Sequence, residues 1–181
     1  MKRLWFVLVV VFLCGFLSAT AFGSESAPGV LFKESFEVGD EDLPPDWTVF
    51  AAGGDMRRVA DVAHDGKYAF LINDNDRAMS AGIRSPYISI SAGKEYQVSA
   101  WVMAEGEGSQ LYLEFWDETK TQRLSAPWVG IYAVPQGGWQ LAVNKDVAPE
   151  NAKYLSVIIY IGKSAVGTSY FDDIEVVAVA Q

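Results

Sequence analysis

Apolar and polar side chains alternate with a period of two along much of the chain after residue 29, a pattern that predicts β-strands. The alternation is most regular over residues 94–117, on both sides of the Gly-rich segment Glu105–Gly108. Before that segment, one face of the predicted strand is formed by Tyr96, Val98, Ala100 and Val102. After it, one face is formed by Leu111, Leu113 and Phe115. We therefore predict two long strands joined as a hairpin by a turn at Glu105–Gly108.

Further short strands are predicted on either side of this pair, separated by turns rich in Gly, Pro, Asn and Asp. They cover residues 30–38, 46–50, 57–63, 68–72, 78–84, 87–90, 122–134, 139–147, 153–161 and 169–179, with an interruption at Pro127. No stretch shows a convincing apolar period of 3.6 residues. Strands at this spacing predict an all-β sandwich of the jelly-roll type with two antiparallel sheets, formed by one domain over residues 30–181.

The first residues have the features of a secretory signal peptide. Lys2 and Arg3 precede an apolar run from residue 4 to 17, and small residues follow it. The run has 14 residues, fewer than the roughly 20 that a membrane-spanning helix needs. We predict that residues 1–23 are removed, with cleavage after Ala21 or Gly23, and that residues 24–29 form a short leader. The mature protein is then expected to be secreted, extracellular or periplasmic, without insertion into a membrane.

Charge and cysteine content limit the possible partners of the protein and the possible sources of its stability. The formal net charge is −9, and loss of the two basic residues of the signal peptide makes it more negative by two units. Such a surface argues against nucleic acid as a partner and is compatible with neutral glycans and with Ca²⁺. The single cysteine, Cys14, lies in the predicted signal peptide, so we expect no disulfide in the mature domain. Its stability must come from the core, from a metal, or from both.

Four predicted strands each have one aliphatic side and one side that carries aromatic rings among polar groups. If these strands share a sheet, its outer, concave surface is lined by a set of candidate ligand contacts. The aromatic members of that set are Trp101, Tyr112, Trp116, Trp128, Tyr132 and Tyr160. The polar members are Gln97 and Glu114, with Ser156 beside them. Aromatic platforms match the apolar faces of sugars, and amides or carboxylates match their hydroxyl groups.

Several short motifs together make the chain resemble a known group of modules. They are Ser35–Glu37, Pro45–Trp47, Gly66–Phe70 (GKYAF), Tyr96–Val102 (YQVSAWV), Gly138–Trp139 and Phe171–Ile174 (FDDI). In this order and spacing they are similar to the galactose-binding-like jelly-roll modules, above all the carbohydrate-binding modules of families 4, 9 and 22. The resemblance implies the same fold and a carbohydrate ligand, but the fold also serves enzymes, receptors and structural domains.

The resemblance also implies a structural Ca²⁺ shared by the first and last strands. Carried over to this sequence, its ligands are the carboxylates of Glu37 and Asp172 with backbone oxygens of the turn His64–Lys67, Lys67 included. Six to eight oxygen ligands of this kind suit Ca²⁺. The alternative is that these acids are solvated or paired with Lys33 or Arg58.

The residues give little support for catalysis. With one histidine, His64, and no cysteine in the mature domain, the usual nucleophilic triads and zinc sites have no visible constellation. Glu114 and Glu118 are separated by Trp116, which is not the pattern of a glycosidase carboxylate pair. We therefore expect a secreted, non-catalytic module that binds a polysaccharide or oligosaccharide on the aromatic face. The alternative is a structural or adhesive module that docks another protein on the same face.

Overall fold

The computed structural model describes residues 29–39, 42–132 and 137–180. The predictions for the signal peptide and for residues 24–28 of the leader lie outside these residues. The described part contains thirteen strands and no α-helix, and hence no helix able to cross a membrane. The strands are β1 (Gly29–Glu34), β2 (Thr48–Ala52), β3 (Asp55–Ala60), β4 (Tyr68–Asp74), β5 (Ala81–Arg84), β6 (Ile88–Ser89), β7 (Glu95–Gly106), β8 (Ser109–Trp116), β9 (Arg123–Ser125), β10 (Trp128–Ile131), β11 (Gln140–Val147), β12 (Tyr154–Ile161) and β13 (Gly167–Ala178).

The strands form two antiparallel sheets that pack face to face, which confirms the all-β sandwich. One sheet has six strands in the order β11-β7-β13-β4-β3, with β1 paired to the second half of β13. The other has seven, in the order β10-β8-β12-β5-β2, with β6 on β12 and β9 on β8. The break between β9 and β10 falls at Pro127, which has no N–H to donate to a ladder.

The predicted hairpin between β7 and β8 is wrong. The two strands belong to different sheets, so the segment between them is a crossover at one end of the sandwich. Gly106 and Gly108 both have positive φ, at 118° and 84°. A Cβ on Gly108 would lie 2.2 Å from that of Ala165, so only glycine fits at this position. The tight, left-handed turn sends the chain across the core instead of back along β7.

The core lies between the aliphatic sides of the strands, as the alternation predicts. The side chains of Val98 and Val102 on β7 are fully buried against those of Leu111, Leu113 and Phe115 on β8. The aliphatic side of β12 completes the same cluster with Leu155, Val157, Ile159 and Ile161. Because these faces are buried, the opposite faces of β8, β10 and β12 form the outer surface of the seven-stranded sheet.

Candidate functional site

Three of the four strands with aromatic sides are neighbours, and the fourth is not. β10, β8 and β12 lie side by side in the seven-stranded sheet, whereas β7 lies in the six-stranded sheet. The prediction that all four share one sheet is therefore wrong for β7. Gln97 and Trp101 lie on the outer surface of the opposite sheet, paired across β7 and β11 with Lys145 and Leu141. The remaining predicted ligand contacts all lie on β8, β10 and β12 or directly after β10.

An aromatic platform occupies one end of the seven-stranded sheet; we use this term for Trp128, Tyr112, Tyr132 and Tyr160. Trp128 on β10 is directly opposite Tyr112 on β8. Their ring centroids are 6.1 Å apart with planes inclined by 28°. Trp128 is 55% exposed and Tyr132 is 81% exposed, so both offer ring surface to solvent. An exposed pair of rings on a sheet whose other side is core is available for a ligand.

Two glycines let the platform rings lie close to the backbone of the sheet. At Gly130, between Trp128 and Tyr132 along the chain, a Cβ would lie 3.5 Å from the Trp128 ring and 3.6 Å from the Tyr132 hydroxyl oxygen. A larger side chain at this position would project between the rings. At Gly82 on β5, a Cβ would come within 2.9 Å of the Tyr160 ring. The Tyr160 ring therefore lies over the backbone of the neighbouring strand, and its other neighbours are Tyr112 and Phe50.

Tyr112 contacts two other rings of the platform and also forms a side-chain hydrogen bond. Its hydroxyl donates a hydrogen bond to Gln110 Oε1 at 2.8 Å, and its ring meets that of Tyr160 edge-on at 6.0 Å. Burial raises the pKa of the Tyr112 phenol, and the neighbouring Tyr160 and Glu114 act in the same direction while Arg123 opposes them. The hydroxyl is therefore a neutral donor and acceptor at the pH values of most natural environments.

Glu114 lies on the predicted face, next along β8 after Tyr112, but its side chain is fully buried. Its Oε2 accepts hydrogen bonds from Arg84 Nε at 2.9 Å and from the Ser156 hydroxyl at 3.0 Å. Its Oε1 accepts a hydrogen bond from Arg123 Nη1 at 2.8 Å. The carboxylate thus holds two guanidinium groups in place and does not itself reach solvent.

Trp116 is the next outward residue of β8, and it is covered. Only 8% of its surface is exposed, and its Nε1 donates to the Ser156 hydroxyl at 3.0 Å. The ring of Tyr87 meets it edge-on at 5.6 Å. The ammonium group of Lys120 lies over both Tyr87 and Tyr154, 5.3 Å and 4.4 Å from their ring centroids. Trp116 is therefore a buried ring on which Tyr87 packs, and it offers little surface to a ligand.

Trp101 takes part in a different cluster. The imidazole of His64 stacks on its indole at 3.9 Å with planes inclined by 11°, and Trp139 meets the imidazole edge-on. The Nδ1 atom of His64 is 2.8 Å from Asp173 Oδ2. His64 thus connects Trp101 to the turn that carries the predicted metal ligands, and the three rings lie outside the aromatic platform.

The predicted metal ligands Glu37 and Asp172 do converge on one turn. Glu37 Oε1 accepts hydrogen bonds from the backbone N–H groups of Lys67 and Tyr68 at 2.8 and 2.7 Å. Asp172 Oδ2 accepts from the N–H groups of His64 and Asp65 at 2.8 and 3.3 Å. The turn is close enough to Glu37 that a Cβ on Gly66 would lie 2.5 Å from Glu37 Oε1. Within the described residues no three His, Cys, Asp or Glu side chains gather around one point.

Neither of these two carboxylates forms an ion pair with a Lys or Arg among the described residues, and the Lys67 ammonium group interacts with Glu37 only at longer range. Lys33 pairs with Glu175, and Arg58 donates to the carbonyl of Gly39 and lies over the Tyr68 ring. Asp172 is fully buried, and burial raises the pKa of its carboxyl although backbone N–H groups oppose the shift. A cation bound through carboxylate and backbone oxygens is chemically suited to this position.

Sequence reasoning missed the basic residues of the outer face. Arg84 ends β5 and Arg123 begins β9, and neither position carries a motif. The available signal was Glu114 itself, since a carboxylate in the middle of a central strand needs a cationic or hydrogen-bonding partner. Phe50 and Tyr87 were also missed. Phe50 lies at the register shift of β2, between Val49 and Ala51, and Tyr87 lies directly before the two-residue strand β6, so neither stretch is long and regular enough for the period of two to define a face.

Known proteins similar to this chain agree with the fold. A family described as carbohydrate binding domain matches residues 29–161. The endo-1,4-beta-xylanases A of Thermotoga maritima and Thermotoga neapolitana are 23% and 24% identical over 156 and 158 residues, 84% of this chain in each case. The match covers only 14% of the length of each xylanase.

Among solved structures, the first family 22 xylan-binding domain of Paenibacillus barcinonensis Xyn10C superposes with a TM-score of 0.61 at 16% identity, covering 86% of this chain and 97% of that domain. The Clostridium thermocellum xylanase Xyn10B, in a fragment that joins such a module to a catalytic module and is complexed with xylohexaose, gives a TM-score of 0.60 at 18% identity. It is covered over 28% of its length, and this chain over 82%. The family match extends over well more than half of the sequence, and the chain belongs to this family of carbohydrate-binding domains.

Proposed function

We propose that this carbohydrate-binding module binds a polysaccharide, without catalysis, on the outer face of its seven-stranded sheet. The observation that carries the proposal is the ring pair of the exposed Trp128 and the half-buried Tyr112, with the exposed Tyr132 and the half-buried Tyr160 beside it. Aromatic rings at this separation can stack on successive apolar faces of a glycan, and each good stack contributes about 1 kcal/mol beyond the burial of area. Hydrogen-bonding groups are close by, at Gln110 and at the tyrosine hydroxyls.

Xylan is the first ligand to test, since it is named for the Paenibacillus domain, and xylanases are the proteins whose segments match this chain. The purified protein is run by affinity electrophoresis in gels that contain xylan, mixed-linkage glucan, glucomannan, galactan or no polysaccharide. We expect retardation by at least one polymer. Trp128→Ala should lower the affinity about five-fold, the factor that corresponds to about 1 kcal/mol.

Trp101→Ala is the matched control, because it removes the same kind of ring from the opposite sheet. It should leave retardation unchanged, and the thermal unfolding of both variants confirms that they are folded. Retardation lost in Trp101→Ala and kept in Trp128→Ala would contradict the assignment of the face. No retardation by any polymer, together with dimers or complexes at micromolar concentration, would favour a protein-docking module instead.

The proposal includes a structural Ca²⁺ at the turn formed by residues 64–67. Glu37 and Asp172 would hold the ion together with backbone oxygens, among them that of Lys67. The support is that both carboxylates lie against this turn and form no ion pair with a described Lys or Arg. When bound, the ion would supply positive charge beside the buried Asp172 on β13 and would link it to Glu37, three residues beyond the end of β1. Export of the protein, inferred from residues 1–23, belongs to the same proposal and is consistent with an extracellular polysaccharide as ligand.

A further inference from the structure

Basic side chains surround the end of the outer face that lies beyond the aromatic platform. They are Arg84 on β5, Arg123 on β9 and Lys120 in the turn between β8 and β9. The buried carboxylate of Glu114 lies among them and pairs with both arginines. The chain as a whole has 23 acidic and 14 basic residues. Three of the basic residues are thus concentrated at this end of the face.

Arg84 is held through its Nε atom and by two aromatic rings, and its two terminal Nη atoms remain available as donors. Its Nε donates to Glu114, and its guanidinium carbon lies 4.9 Å from the Phe50 ring centroid and 5.1 Å from that of Trp116. Neither Nη atom of Arg84 donates to another described residue. Because the carboxylate occupies Nε, the two terminal nitrogens keep the paired donor geometry that matches a carboxylate.

Arg123 is the more accessible of the two arginines, with 47% of its side chain exposed against 20% for Arg84. Its Nη1 donates to Glu114, which leaves other guanidinium donors directed elsewhere. Two further acids lie in the turn after β8, and neither forms an ion pair with the arginines. The carboxylate of Asp117 accepts hydrogen bonds within its own turn, from Thr119, Thr121 and Gln122, and Glu118 is exposed without an ion pair.

We propose that this arginine pair binds the carboxylate of a uronic acid, so that the preferred ligand is an acidic polysaccharide and not a neutral one. The inference rests on the proposed function, because the sugar backbone is bound by the aromatic platform. In this arrangement Glu114 is a positioning residue: it orients both guanidinium groups and does not contact the ligand.

The register of the sheet places the two parts within reach of one polysaccharide chain. Arg84 lies opposite Ile158 on β12, and Ile158 lies opposite Tyr112 on β8. Neighbouring strands are roughly 4.8 Å apart, so the backbone at Arg84 is about 10 Å from that at Tyr112. A glycan that runs across the strands over Tyr112 and Trp128 would therefore carry a uronate substituent or unit to the arginines.

The test compares each acidic polymer with its own neutral derivative. Binding of the full protein to glucuronoxylan and to polygalacturonate is measured by affinity electrophoresis and calorimetry, beside the same polymers after reduction of their carboxyl groups to alcohols. Arg123→Gln removes the accessible arginine. Arg57→Gln is the matched control, because Arg57 is also 47% exposed and ion-paired, with Asp55, but lies in the six-stranded sheet. Dextran sulfate tests for binding to any polyanion.

We expect at least one acidic polymer to bind about ten-fold more tightly than its reduced form, the ratio given by about 1.4 kcal/mol. Arg123→Gln should abolish most of this ratio while keeping affinity for the reduced polymer, and Arg57→Gln should keep the ratio. Equal affinity for acidic and reduced polymers would overturn the inference and leave the proposed function intact. So would equal binding of dextran sulfate, or the same loss in both variants. Failure to bind any polymer, neutral or acidic, would overturn the proposed function itself.

Discussion

Replacement of Glu114 by glutamine tests the central interaction of the outer face. The substitution keeps the shape of the side chain and removes its charge. Glu114 is fully buried and accepts from three donors, namely Arg84, Arg123 and Ser156. Glutamine offers one oxygen and one NH₂ group, so one arginine N–H would face another donor. The loss therefore includes a charge-assisted hydrogen bond and one unsatisfied group.

The size of the loss follows from the exposure of the partners. Removing one partner of a fully buried ion pair costs about 3–5 kcal/mol. Here Arg84 and Arg123 are 20% and 47% exposed, so both can recover part of their hydration. We therefore expect the free energy of unfolding to fall by about 2–3 kcal/mol. For a domain of this size, about 1 kcal/mol lowers Tm by roughly 2–4 °C, so Tm should fall by about 4–12 °C.

The assay is thermal and urea unfolding followed by circular dichroism, with Glu118→Gln as control. Glu118 lies two residues beyond the end of β8 and is exposed, so the same substitution there should change the free energy of unfolding by less than about 0.5 kcal/mol. A Tm for Glu114→Gln within 2 °C or so of the Glu118→Gln value would refute the role that we assign to the buried carboxylate.

Two further predictions concern pH and calcium. Since burial raises the pKa of the Tyr112 phenol, the folded protein holds this proton at pH values where the unfolded chain has lost it; stability should therefore fall as pH rises above about 10. Tyr112→Phe should flatten this slope, measured by urea unfolding between pH 9 and pH 11 or so, and an unchanged slope would contradict the assignment. Ca²⁺ should raise Tm relative to EDTA, and Asp172→Asn should remove the difference; equal Tm values for the wild-type protein in both solutions would contradict the metal site.

The positions of the strands could be predicted from the sequence because the period of two is a local property. Val98 and Leu113 were assigned to the core from their neighbours along the chain, and both are fully buried. Which strands lie side by side is not local. The alternation in β7 is the same whether its partner is β8 or β13, and only the structure shows that it pairs with β11 and β13.

The same limit explains the errors in the predicted site. Trp101 has the parity of a ligand-facing ring, but its strand lies in the other sheet. Trp116 lies on the correct face, and its burial depends on Tyr87, a residue in an irregular segment. Glu114 was placed correctly, whereas its partners Arg84 and Arg123 come from strands that are 30 and 9 residues away along the chain. Sequence patterns predicted the platform and left its charged end undescribed.

The position of β13 affects how the protein reaches its native state. β13 follows all other described strands in the chain, yet it lies in the middle of the six-stranded sheet, paired with β1, β4 and β7. A nascent chain without residues 167–178 leaves three strands with an open edge, so the sheet cannot close until synthesis has passed this segment. Pairing between such distant segments, as between Gly29 and Ala178, is also slow. Formation of the six-stranded sheet is therefore a late and non-local step of folding.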